Sequence, residues 1–296
     1  MNLYFDELDA RYLSAPLWSG IDLDNLLRGV DARRGVAMFD DFVGFGGVLS
    51  TNTGQYFSGR NRWVSYQTAS MLMTNVALTP TPATVSPTSL GAIVLAPASG
   101  VVDNDQNTLA WGANELTPYG TFPFAVIPGI SNDLVFECRI AVNTIANDIG
   151  DLFIGLAGAA GIQVAASVVP ITATADTLAT TLSLLGFHKL SGDGDKLDLA
   201  YERASGTVAT KADVGTLVAD TYIKAGFRYN GVEQTLTPWI NGVEITASKV
   251  AKSVTGATPW ANDYMAPVMA SMQVDGTTAM KMTVDWIACA QLPPLK

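Results

Sequence analysis

The sequence predicts an all-β fold, an antiparallel sandwich with a short, partly helical N-terminal arm. From Met38 onward, β-branched and aromatic runs are punctuated by Gly, Asn, Asp and Pro. Over the same stretch, amphipathic patterns of helix length nearly vanish. Hydrophobic residues make up 48% of the 296 positions and charged residues 15%, a balance that supplies a large core and excludes a disordered chain.

The chain opens differently. Residues 1–35 are charge-rich and helix-compatible, with Leu23, Leu26, Leu27 and Val30 at i, i+3, i+4 and i+7, which forms one apolar stripe. A helix below about 12 to 15 residues is marginal in water, so this stripe needs a surface to lie on. That surface is either the chain's own sandwich or another subunit. The division read from the sequence is an arm over 1–35 and a sandwich over 36–296. One large sandwich fits the absence of a fixed-period repeat, and two smaller ones side by side also fit the length.

Along the body, Thr79–Pro87 holds Pro at 80, 82 and 87 and reads as a surface loop, because each Pro removes a ladder donor. In Leu134–Val142, Phe136, Cys138, Ile140 and Val142 alternate with Glu137, Arg139 and Ala141, giving a strand with one buried face. Lys196–Glu202 puts Asp198 and Glu202 on one face, which reads as a strand's polar side. In Thr221–Tyr229, Ile223, Ala225, Phe227 and Tyr229 share a face, and Asn230-Gly231 then supplies a turn. Thr237–Ile245, with Asn241-Gly242 at its centre, predicts a hairpin closed by a type I′ turn, since Asn-Gly tolerates positive φ at both central positions. The two cysteines, Cys138 and Cys289, each lie in a strand-like run and read as buried free thiols, with a disulfide as the alternative.

A net charge of -10 and a pI near 4.5, with no Lys/Arg cluster, argue against nucleic acid as a partner. Few charges and a mean hydropathy of +0.25 leave an outer surface rich in Thr, Ser, Asn, Gly and Ala, which suits packing against protein. Residues 1–13 show no positively charged segment leading into an apolar one, so no secretory signal is read and a cytosolic start is expected. No apolar run approaches the roughly 20 residues of a membrane-spanning helix.

Catalytic patterns are scarce. The single histidine, His188, excludes an HExxH pair or a multi-histidine zinc site, and no G-x-S-x-G elbow is present. Asp198 and Glu202 lack the intervening partner of an E-x-D-x-x-E carboxylate set. Ser191–Asp195 and Asp103–Asp105 read as turns, because neither carries a full calcium loop. Gly44–Gly47 lacks a phosphate-binding lysine and reads as a strand bend. No catalytic residue, metal or cofactor is expected. Trp63, Trp111 and Trp239 read as core, whereas Trp260 and Tyr264 lie in the loop-like Thr258–Tyr264 and read as candidate surface contacts.

Three stretches together resemble the concanavalin-A-like, laminin-G- or lectin-like jelly rolls of bacteriophage structural proteins. They are Phe39-Asp40-Asp41-Phe42 with Gly-rich residues and Trp63 after it, Gly226–Gly231 followed by Pro238–Val243, and Met282–Ile287. The resemblance covers roughly 36–292 and leaves the arm unmatched. It implies a jelly-roll β-sandwich and, as function, a non-enzymatic virion protein of the capsid decoration or cement type. Such a protein would bind the outside of the head, with the major capsid protein and copies of itself as partners. Its place would be the host cytoplasm before assembly and the capsid surface afterwards. Lectins, glycosidases and adhesins share this sandwich, so a tail or fibre module binding a surface glycan or receptor is the alternative, and an unusual glycoside hydrolase is a third. The contacts expected for a partner are the arm stripe, Leu23, Leu26, Leu27 and Val30, together with Trp260 and Tyr264.

Overall fold

The computed structural model describes residues 13–21, 26–27, 35–42, 46–48, 53–58, 61–67, 71–77, 91–97, 106–111, 123–158, 171–172, 177–206, 209–255, 260–261, 263–274 and 280–293. Leu23, Val30 and the expected turns or loops at 79–87 and 103–105 lie outside them, as do Gly44 and Phe45.

Among the described residues there are twenty strands, numbered in chain order. An eight-stranded antiparallel sheet contains β1 (Val36–Asp40), β5 (Met71–Ala77), β6 (Gly91–Pro97), β9 (Leu134–Val142), β16 (Ile223–Asn230), β17 (Thr235–Ile240), β18 (Val243–Glu244) and β20 (Met282–Gln291). Its order is β18-β17-β16-β9-β20-β6-β5, with β1 also paired to β20. A ten-stranded sheet contains β2 (Gly46–Val48), β3 (Thr53–Ser58), β4 (Asn61–Gln67), β7 (Gln106–Trp111), β8 (Phe124–Val126), β10 (Gly150–Gly158), β13 (Ser183–Lys189), β14 (Lys196–Glu202), β15 (Thr210–Thr216) and β19 (Asp263–Gln273). Its order is β15-β14-β13-β10-β19-β7-β4-β3-β2, with β8 also on β19. A small ribbon, β11 (Ile171–Thr172) with β12 (Thr177–Leu178), is a separate two-stranded sheet whose Ile171 and Leu178 pack on the ten-stranded sheet beside Phe153, Ala157 and Leu184. Among the described residues, helix is confined to single turns such as Lys252–Thr255, and none is long and apolar enough to cross a membrane. The fold is the two-sheet antiparallel jelly-roll sandwich expected.

Alternation builds the core between the sheets. On β9, Phe136, Cys138, Ile140 and Val142 point inward; on β16, Ile223, Ala225, Phe227 and Tyr229 do the same. The rings of Phe136 and Phe227 stack across the strands at 5.1 Å, and Phe187 of β13 meets Phe227 from the opposite sheet at 6.1 Å. Each such fully buried side chain contributes about 1.5 to 3 kcal/mol through removal from water. Cys138 and Cys289 are both buried and free. The hairpin between β17 and β18 turns through Asn241 at φ 50° and Gly242 at φ 79°, the two positive φ values of a type I′ turn.

The expectation of one buried face on β9 needs correction. Only Arg139 of that strand retains partial exposure, because the N-terminal segment lies over the outer face. Glu202 departs in the same way: read as part of a polar outer face, it is fully buried.

Candidate functional site

Three places carry chemistry beyond core packing: the seat of the N-terminal segment, the outer face of the ten-stranded sheet, and one end of the sandwich.

Residues 14–21 form successive turns, with Trp18 N–H donating to the Ser14 carbonyl at 3.2 Å and Ile21 N–H to the Trp18 carbonyl at 3.0 Å. This unit lies on the outer face of the eight-stranded sheet. Leu17 and Trp18 pack there with Val135, Trp286, Ala288 and Ala290. Glu137 projects from the same face of β9 into the contact and is buried. Its carboxylate accepts from Ser14 N–H at 2.9 Å, Ser14 Oγ at 2.5 Å and Trp18 Nε1 at 2.8 Å. Burial raises the Glu137 pKa, and the bonds from Ser14 and Trp18 oppose that rise. Gly226, opposite Glu137 in the ladder, makes room for the segment. A Cβ there would stand 2.5 Å from Leu17 Cδ2. Leu26 is buried in the same cluster and Leu27 packs at its edge, so this part of the arm stripe lies on its own sandwich.

The outer face of the ten-stranded sheet is different. His188 of β13 lies between Phe153 of β10 and Asp198 of β14, while Glu202 lies opposite Leu184. Both His188 and Glu202 are buried, and among the described residues neither His188 nitrogen nor Glu202 oxygen has a hydrogen-bond partner. Burial alone pushes the Glu202 carboxyl up to about 8, so it is mostly protonated at neutral pH. Burial also pulls His188 down to about 4 against the opposing charge of Asp193, leaving the ring neutral. Asp198 is raised by burial as well, partly offset by a hydrogen bond from Asp213 N–H. Glu202 stands four residue steps along the strand from Asp198, a backbone separation of about 13 Å at 3.3 Å per residue. Paired carboxylates of glycoside hydrolysis stand roughly 5 to 9.5 Å apart. Among the described residues, no group of three or more His, Cys, Asp or Glu could hold a metal ion.

At one end of the sandwich, the turn after β8 and the turn joining β16 to β17 pack side by side. A Cβ on Gly231 would meet the Ser131 carbonyl oxygen, so the two backbones touch. Asp133 ties them: it accepts from Arg228 Nη2 at 2.7 Å and from Gly231 N–H at 3.0 Å. Asn230 Oδ1 accepts from the amides of Val232 and Glu233 at 3.0 and 2.9 Å. On this braced support, Ile130 is 59% exposed and Val232 69% exposed.

The remaining expected contacts divide. Trp260 is buried, its ring 5.3 Å from Tyr229 and 6.3 Å from Tyr201, which corrects its reading as a surface residue: the indole packs in the core between the sheets. Tyr264, at the start of β19, is 59% exposed. Ser14, Leu17, Trp18, Glu137, Gly226, Ile130 and Val232 were not picked out in the sequence. The available signal was a charged residue, Glu137, amid an apolar strand, and an apolar Leu17-Trp18 pair amid a polar arm.

No family model and no curated protein sequence matches the chain. Among solved structures, it is similar to an endo-β-1,4-glucuronan lyase from the fungus Trichoderma reesei, at 7% identity and TM-score 0.45, over 74% of this chain and 86% of that one. It is also similar to a Shewanella oneidensis MR-1 protein of unknown function, at 12% identity and TM-score 0.47, over 88% of each chain. A third is the binding domain of botulinum neurotoxin DC, solved in complex with rat synaptotagmin II, at 12% identity and TM-score 0.41, over 82% of this chain and 47% of that one.

Proposed function

We propose that the chain is a non-catalytic assembly module, a sandwich that docks on other protein through the end bearing Ile130 and Val232, and in its most specific form a phage head decoration protein. The observation that carries the reading is the pair of exposed aliphatic side chains on turns held rigid by Asp133, Arg228 and Asn230. Exposed apolar side chains on a preorganised support lose little entropy on docking, which is what a contact surface needs. The wide spacing of Asp198 and Glu202 and the burial of Glu202 also favour a role without chemistry. The low charge and the resemblance of the sandwich to phage structural jelly rolls supply the particle, with the major capsid protein and further copies of the chain as partners.

The test is imaging of particles assembled with the unmodified chain or with an Ile130→Lys, Val232→Lys double variant. Expected is head density in many copies for the first and a large loss of bound copies for the second, with unchanged circular dichroism. Undiminished occupancy of heads by the variant overturns the docking end, and density confined to the tail overturns decoration. A second reading, glycan binding, is favoured by the exposed ring of Tyr264. It predicts that Tyr264→Ala weakens retention on host polysaccharide, and failure of the unmodified chain to be retained removes that reading.

A further inference from the structure

The seat of the N-terminal segment has the form of a receptor with a peptide in it. The segment carries its own backbone bonds, Trp18 to Ser14, Ser19 to Pro16 and Ile21 to Trp18. It joins the sheet through side chains and four hydrogen bonds, three into the Glu137 carboxylate and one from Arg228 Nη1 to the Ser19 carbonyl at 2.8 Å. Among the described residues, none of this segment joins a strand ladder. The receptor half is built entirely into the sheet: the gap above Gly226 takes Leu17, Glu137 takes Ser14 and Trp18, and Trp286 with Ala288 forms the apolar floor. An empty seat would leave Glu137 and this floor without their cover, so the face favours being occupied.

We propose that this face is an acceptor for the Ser14–Trp18 segment of a second copy of the chain, so that copies are linked by exchange of their arms. The contacts made in exchange are the same as those made within one chain. The balance between the two is therefore set by local concentration, not by any new interaction. Exchange is favoured where copies are crowded together, as on a repeating surface. The inference deepens the assembly reading above by naming how copies hold one another, and it is tested on purified chain without particles, so that the two can fail separately.

The test mixes two full-length variants. In the first, Leu17→Asp with Trp18→Ala disables the arm and leaves the acceptor intact. In the second, Gly226→Ala leaves the arm intact and closes the seat with a Cβ 2.5 Å from Leu17 Cδ2, which also comes within 2.8 Å of the Phe136 carbonyl oxygen of the neighbouring strand. Expected by sedimentation is that each alone is monomeric and that the mixture gives a one-to-one heterodimer, since neither variant keeps an intramolecular contact that competes with the exchanged one. Two folded variants that stay monomeric when mixed overturn the proposal. If Gly226→Ala does not fold, a fluorescein-labelled peptide of residues 11–22 is titrated into the arm-disabled variant. Saturable one-to-one binding, weakened about tenfold or more by adding Glu137→Gln, is the expected result, since a hydrogen bond to a charged group carries that scale of energy. No saturable binding overturns the acceptor.

Discussion

Each sheet of this sandwich buries a glutamate on its outer face, and the two are treated in opposite ways. Glu137 receives three donors from the N-terminal segment. Glu202 receives none, and burial pushes its carboxyl from 4.5 up to about 8. The contrast teaches that burial alone does not define a site. One carboxyl is an organised acceptor for a particular partner, while the other is a cost that the core around Leu184 and Ala200 absorbs.

The largest expected effect comes from removing the partner of the satisfied glutamate. Trp18→Ala deletes a buried indole and one of the three bonds to Glu137, and should cost about 3 to 5 kcal/mol, up to the limit at which the whole segment detaches. Urea denaturation reads this directly, with an m-value unchanged unless the segment is lost. Glu137→Gln keeps the shape and removes the charge, so Ser14 and Trp18 donate to a neutral oxygen or face an amide. The expected loss is about 1.5 to 3 kcal/mol, the range of hydrogen bonds to charged groups. A variant as stable as the parent would make Glu137 no better used than Glu202 and would erase the comparison.

The opposite sign is expected on the other face. Glu202→Leu replaces an unpartnered acid with an apolar side chain of similar size, and should stabilise by about 1 to 3 kcal/mol at pH 7. The pH dependence sharpens this. The folded-state pKa of Glu202 is raised, so its favourable contribution is complete below about 4.5 and is lost as pH rises through about 8. The folded-state pKa of His188 is lowered, so its contribution holds above about 6.5 and is lost as pH falls through about 4. The parent should therefore lose stability on both sides of a middle range, and thermal melts of Glu202→Leu between pH 5 and 9 should lack the alkaline decline while keeping the acid one. An alkaline decline that persists in the variant would assign it to another group.

What the sequence disclosed follows from how far each signal reaches. Alternation in Leu134–Val142 and Thr221–Tyr229 is local, and β9 and β16 appear where it places them. The partner of Glu137 is more than a hundred positions away in an irregular segment, and no periodicity links Ser14 and Trp18 to it. Residue types in Thr258–Tyr264 made Trp260 and Tyr264 look alike, but they do not say which way each side chain turns, and Trp260 packs inward against Tyr201 and Tyr229 while Tyr264 at the start of β19 is exposed. Asp198 and Glu202 share a face as alternation requires, yet alternation does not say which face of a strand another segment will cover.

The smallest effect belongs to the most local signal. Gly242 holds φ 79° in the turn between β17 and β18, a conformation in which a Cβ crowds the following carbonyl. A Cβ there would also lie 3.2 Å from Ser14 Oγ, the atom that donates to Glu137. Gly242→Ala should therefore cost about 1 kcal/mol from backbone strain. Any loss beyond that measures how tightly the segment is pressed against the hairpin. Combining it with Glu137→Gln separates the two contributions: additive losses mean the hairpin and the carboxylate hold the segment independently, and a combined loss smaller than the sum means that Gly242→Ala acts by shifting Ser14 away from Glu137.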